Sequence, residues 1–389
     1  MARTGAQALI GALKENSAEY LFGLPGTHTL SVYDALIGDP ALTPIVPRHE
    51  QGAGFAADAY ARVTGRPGVT FTVPGPGGTN LATALQSAFE DSVPMVAVTA
   101  TLPDADRNRG AIHDVDMEKA LAAVVKKCIV PDSVDAVGPA VDAAFLWAAA
   151  ERPGPVQVVM KSDLLQKEEE RALYRPAFAP PPPGPAAPPG DLGRAADALR
   201  KARRPVLYAG GGAVAAGCAH EIQLLSAKLG APVVTSTKAR GILSEADPLC
   251  FGTAIFVGCE EMLAEADLCL AVGTGFGQFA TLSGRVPVPE NLIQIDIDPG
   301  RIGRNYPAAL GIAADAGDAL RGLLDRLEVM DGVPPGEGHI RVRAGRQLYR
   351  ERLARFLEKP QEPPFHGLFV AKTLRDAAPP ETVFVTDSS

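Results

Sequence analysis

GVTFTVPGPGGTN, residues 68–80, is a short run of β-branched and aromatic residues that breaks into a Pro-Gly-Pro-Gly-Gly loop. The run before the loop has strand composition, and LATALQSAF, residues 81–89, follows with helical spacing. Proline and glycine in this density continue neither element, so 74–80 is the connection between them. The same alternation extends in both directions. LFGLPG (21–26) ends a short apolar run in a turn, and PMVAVTA (94–100) and PVQVVM (155–160) read as further buried strands with helical patterns between them. Strands that are apolar throughout, separated by helices, predict a parallel, doubly wound α/β sheet covered on both faces.

Composition bounds the function. At 389 residues the chain is long enough for two or three domains, and 46% hydrophobic residues are enough to build real cores rather than a disordered tail. A net charge of -8 with no block of like charges argues against nucleic acid or an acidic membrane as partner. MARTGAQALIGALKENSAEY (1–20) has helical spacing interrupted by Lys14, Glu15 and Asn16, unlike a secretory signal. No apolar run approaches the roughly 18 residues that a membrane helix needs. The five cysteines form no CxxC pair and no zinc-like spacing with the six histidines. Reduced core thiols in a cytoplasmic protein are expected.

RPAFAPPPPGPAAPPGD (175–191) is too rich in proline for a helix or an interior strand, and marks a linker over 173–191. It divides a first domain, 1–172, from a second α/β domain, 192–350. That second domain opens with the helix LGRAADALRKA and continues through the strands PVLYAGGG, PVVTS, DLCLAVGTG and NLIQIDID. A charged helical stretch, 340–358, leads to the hinge KPQEPPF (359–365). Residues 351–389 then read as linker, one helix and one strand, the opening of a third domain whose remainder is absent.

Four features could carry chemistry. The loop from Gly75 to Asn80 presents free backbone N–H groups at a strand-to-helix junction, although such a cluster alone is most often a plain turn. Glu50, in RHEQGAGFAADA (48–59), stands at the mouth of a helix of small residues, as a cap, a surface charge or a carboxyl held in a pocket to move protons. GGGAVA (210–215) fits G-x-G-x-x-A, but no acid closes the next strand, so tight strand-to-helix packing is the better reading. His28 and His113 lie in loops of the first domain, and Asp114 and Asp116 beside His113 could hold its charge or tautomer.

Taken together, FGLPG (22–26), RHEQGAGFAADAYARVTGRPGV (48–69), PGPGGTNLATAL (74–85) and DSVPMVAVTA (91–100), followed by PVLYAGGG, AVGTG and IQIDIDP, resemble one family. It is the thiamine-diphosphate (ThDP) enzymes of the acetohydroxyacid (acetolactate) synthase and 2-oxo acid decarboxylase superfamily. The resemblance implies a first domain that binds the cofactor's aminopyrimidine and a nucleotide-binding-like central domain. Glu50 would hydrogen-bond the pyrimidine ring, with Pro25, Gly26, Pro74, Gly75, Pro76, Gly77 and Asn80 lining the pocket. A carboxyl that shares a proton with the ring nitrogen favours the imino tautomer of the cofactor, which can take the thiazolium C2 proton and so start decarboxylation of a 2-oxo acid. The small residues after Glu50 would allow close packing at a subunit interface.

The family's third domain grips diphosphate and Mg2+ through Gly-Asp-Gly…Asn, a motif not found here, so no metal ligand is assigned on this chain. A separate subunit is expected to carry that domain, around a homodimer core in a hetero-oligomer. Thr101 stands where synthases carry glutamine, and AIHDVD (111–116) replaces their phenylalanine-glutamine-glutamate pattern. His113 falls where related decarboxylases place acid/base histidines, which makes it the candidate proton shuttle. GTGFGQFATLSG (273–284) lacks the arginine and acids of flavin-keeping synthases, so FAD is not expected. The function implied is decarboxylation of a small, pyruvate-like 2-oxo acid with transfer of the acyl carbanion to an acceptor. A plain decarboxylase subunit and a non-catalytic remnant are the alternatives.

Overall fold

The computed structural model describes residues 2–170, 184–328, 337–357 and 363–385. The chain divides into two compact units, Met1–Pro185 and Ala186–Ser389.

Eight strands belong to the first unit: β1 (Ala2–Thr4), β2 (Tyr20–Gly23), β3 (Thr43–Ile45), β4 (Gly68–Thr72), β5 (Met95–Thr101), β6 (Lys127–Ile129), β7 (Pro155–Lys161) and β8 (Glu168–Glu170). Six of them form a wholly parallel sheet in the order β3-β2-β4-β5-β7-β6. Its centre is dry: every residue of β4 and β5 is buried. Successive side chains along β5 alternate between the faces. Val96 and Val98 join the core made with the helices Gly5–Glu15 and Val134–Ala149, while Met95 and Ala97 join the one made with Glu50–Thr64 and Ala82–Asp91. The antiparallel pair β1–β8 stands apart.

The helix Glu50–Thr64 turns its small residues inward. Ala53, Ala57 and Ala61 are buried in the unit's own core. Chain order also fixes the geography. After β2 the chain moves outward to β3, then returns to β4 on the other side of β2. Loops leaving the carboxyl ends of β2 and β4 therefore diverge, and such a switch point is where open parallel sheets bind ligands.

The second unit carries β9 (Pro205–Ala209), β10 (Val233–Thr235), β11 (Cys250–Thr253), β12 (Leu268–Val272), β13 (Leu292–Asp296) and β14 (Leu310–Ala313), in the order β11-β10-β9-β12-β13-β14. This is the dinucleotide-fold order, with its switch point between β9 and β12. Backbone fills that point. Gly212 N–H donates to Gly273 O at 2.9 Å, and a Cβ at Gly210 would stand 2.2 Å from the same oxygen. The amide that a dinucleotide phosphate would seek is already used, which favours packing as the role of GGGAVA. Gly210→Val is expected to cost about 1–3 kcal/mol in urea unfolding, the scale of overpacking against atoms that cannot yield.

Pro189, Gly190 and Asp191, expected in the linker, form the first turn of the helix Pro189–Lys201, where proline's missing N–H costs nothing. Residues 184–188 of that linker form neither helix nor strand, and 173–183 lie outside the described residues, as does the beginning of the KPQEPPF hinge. The charged stretch is the helix Gly338–Leu357, and the last expected helix is Gly367–Ala377. The strand expected after it is not formed over 382–385, where no neighbouring strand takes up the backbone groups; 386–389 lie outside the described residues. All five cysteines are free thiols. No helix among the described residues is long and apolar enough to cross a membrane.

Candidate active site

Because β2, β3, β4 and β5 are parallel neighbours, the segments after them share one edge of the sheet. Those segments carry Pro25, Gly26, His28, Glu50, the 74–80 loop and His113.

Glu50 is the first residue of its helix, and the N-cap is His49, whose Nδ1 accepts the Gln51 N–H at 3.1 Å. Glu50 is therefore not the cap, and its half-buried carboxyl is free for other contacts. Asn80 Nδ2 donates to Glu50 Oε2 at 3.0 Å. Oε1 has no hydrogen-bond partner among the described residues, and it stands 3.4 Å from where a Cβ at Gly77 would be. A side chain at position 77 would crowd this oxygen.

The 74–80 loop is the spine of the site. Pro74, Gly75 and Gly77 are buried, Pro76 is exposed, and the short helix Pro76–Thr79 begins within it. Gly75 has φ +62° and ψ -116°, a conformation essentially closed to other residues. A Cβ there would meet His113 Cα at 2.9 Å. One face of the loop thus bears on His113, while Gly77 and Asn80 bear on Glu50.

Gly26 follows β2 beside the exposed Pro25. Its N–H donates to Thr29 Oγ1 at 3.0 Å, and its carbonyl accepts from Thr29 N–H at 2.8 Å. Val73 joins the two loops: Cβ atoms built at Gly26 and at Gly77 would each lie 2.6 Å from one of its methyls. His28, two residues beyond Gly26, has its ring centroid 5.8 Å from that of His113.

The aspartates expected to hold His113 do otherwise. Asp114 Oδ2 accepts the Asn108 N–H at 2.6 Å, and Asp116 caps the helix Met117–Leu121 and pairs with Lys119 at 2.9 Å. A short polar side chain near its own backbone meets local N–H groups first. His113 instead keeps a buried Nδ1 with no partner among the described residues. Thr101 closes β5 and is buried.

Beneath the loop lies a support that sequence reasoning missed. Buried Gln157 donates to Thr99 Oγ1 at 2.9 Å and to Met117 O at 3.0 Å, and the Met117 side chain packs under Gly78. Its signal was present, as the single polar residue inside the apolar run PVQVVM. Val73 gave none, since it reads as the last residue of a strand.

The site's residues suit an aminopyrimidine, having a half-buried carboxyl with one free oxygen and a glycine that keeps space open beside it. No group of three or more His, Cys, Asp or Glu among the described residues could hold a metal ion.

Comparison with known proteins identifies the family. Residues 3–121 match the family model described as thiamine pyrophosphate enzyme, N-terminal TPP binding domain, and residues 192–323 match the central domain of the same enzymes. A probable 2-ketoarginine decarboxylase of Pseudomonas aeruginosa is 38% identical over 351 residues, covering 88% of this chain and 61% of that protein. The acetolactate synthase large subunit of Parasynechococcus marenigrum is 35% identical, covering 83% of this chain and 54% of its own length. A probable acetolactate synthase large subunit of Methanocaldococcus jannaschii is 34% identical, with 84% and 56% covered. The chain therefore spans between about half and three fifths of these relatives. Two domain models in the expected order and relatives of this similarity place the chain in the thiamine-diphosphate enzyme superfamily of acetolactate synthases and 2-oxo acid decarboxylases.

Proposed function

We propose that this chain supplies the pyrimidine-binding half of a ThDP-dependent enzyme that decarboxylates a small, pyruvate-like 2-oxo acid and passes the acyl unit to an acceptor, as acetolactate synthases do. The observation that carries the reading is Glu50: one carboxyl oxygen is held by Asn80 and the other is left open beside Gly77. Asn80 orients the carboxyl, so Oε1 is the atom that meets a ring nitrogen and shares its proton. Gly77 keeps the approach clear, while Pro25, Gly26, Pro74, Gly75 and Pro76 shape the surrounding loops. When bound, ThDP supplies the electron sink for loss of CO2. Within this reading His113 moves a proton at the reacting end of the site.

Plain decarboxylation is the second reading, favoured by His113 where synthases carry another pattern and by the decarboxylase relative. A proton carrier at that position would let the acyl unit leave protonated rather than joined to an acceptor. Diphosphate and Mg2+ belong, in either case, to a diphosphate-binding domain.

The test is co-expression with such a domain, followed by calorimetric ThDP/Mg2+ binding and CO2 release from pyruvate, bulkier 2-oxo acids and 2-ketoarginine. Cofactor-dependent CO2 release with acceptor-linked product supports the synthase reading, and release with aldehyde alone supports the decarboxylase. A pair that binds no ThDP contradicts both.

A further inference from the structure

His28 and His113 come from different loops, and both are held by their backbones. His113 has φ +68°, its Cα packs on Gly75, and its carbonyl accepts the Val115 N–H at 2.9 Å. A histidine in the left-handed region is uncommon, and residues held this way gather at functional sites. His28 lies between Gly26 and Thr29, which hydrogen-bond each other across it. The rings are half-buried, 5.8 Å apart between centroids and tilted by 60°. Two imidazoles so placed repel each other when both are protonated.

We propose that His28 is a positioning residue for His113, the two rings forming one coupled pair in which the uncharged His28 ring stands beside His113. This rests on the reading of His113 as the proton carrier of the proposed site. Burial lowers the pKa of His28, and His113 beside it lowers it further, while Asp106 acts in the opposite sense. His28 is thereby the ring that stays neutral at neutral pH. The other charges on the β5 loop are engaged locally. Asp104 pairs with Lys161 at 2.6 Å and with Arg107 at 4.0 Å, Asp114 takes the Asn108 N–H, and Asp116 pairs with Lys119. Arg109 supplies further positive charge on that loop. The 74–80 loop carries no titratable side chain, and Glu50 faces its other side.

Histidine titration by NMR on the full chain tests the pair, with the six imidazoles assigned by single substitutions. The variant of choice is His113→Asn, because asparagine tolerates the left-handed backbone. His28 is expected to titrate at higher pH in that variant, closer to an ordinary histidine, and His28→Gln is expected to shift the His113 ring resonances. A His28 titration unmoved in His113→Asn, with the fold intact by circular dichroism, overturns the proposal. Failure of the wild-type assembly to turn over with ThDP contradicts the proposed function instead, and the titration alone then decides the pair.

Discussion

Glu50→Gln is expected to lower ThDP-dependent turnover of the assembled enzyme by about 10²–10⁴-fold, the range contributed by a positioned proton-transfer group. Glutamine is close in size and can still accept from Asn80, so the helix Glu50–Thr64 and its His49 cap should survive. What it cannot do is share a proton with a ring nitrogen through Oε1. The loss should therefore appear in kcat, with little change in urea midpoint or in the cofactor concentration that half-saturates the enzyme. Steady-state kinetics and denaturant unfolding on the same preparation check both halves. Loss of stability in proportion to loss of turnover would return Glu50 to a structural role.

Gly75→Val should be damaging for a different reason. At φ +62° and ψ -116° a valine is strained by about 1–3 kcal/mol, and its Cβ would start 2.9 Å from His113 Cα. The loop must shift, and Gly77, Asn80 and the His113 backbone shift with it. Displacement of a reacting group by about 1 Å costs about 10²-fold in rate, so turnover should fall at least that far. The urea midpoint should drop as well, in contrast to Glu50→Gln. Unchanged turnover would mean that the 74–80 loop does not set the site's geometry.

The two sheets were legible because their central strands are buried on both faces. GVTFT, PMVAVTA, PVLYA and DLCLAV need no pattern finer than continuous apolarity. Edges were not legible. β3 is three exposed residues with Pro44 at its centre, and β8 is a run of glutamates that pairs with β1 only because the folded chain brings them together. Propensity is a weak guide where tertiary context supplies the partner.

The site followed the same division. Glu50 and the Gly-Pro loop were legible as candidates, but which of cap, surface charge or pocket carboxyl applied depended on Asn80, 30 positions away in sequence. Asp114 and Asp116 were misread because nearness in sequence to His113 is not nearness to its ring. His28, which does approach that ring, is contributed by another strand's loop. Small residues at four-residue spacing signal close packing but not its partner, and here that partner lies within the same unit.

Hydrogen–deuterium exchange at the thiazolium C2 of ThDP, followed by NMR in the assembly that holds a diphosphate-binding domain, tests the role of Glu50 most directly. The wild-type assembly should exchange this proton far faster than free cofactor does, and the Glu50→Gln assembly, with cofactor bound, should fall back toward the free rate. Equal exchange in the two assemblies would contradict the assignment of Glu50 as the group that activates the cofactor.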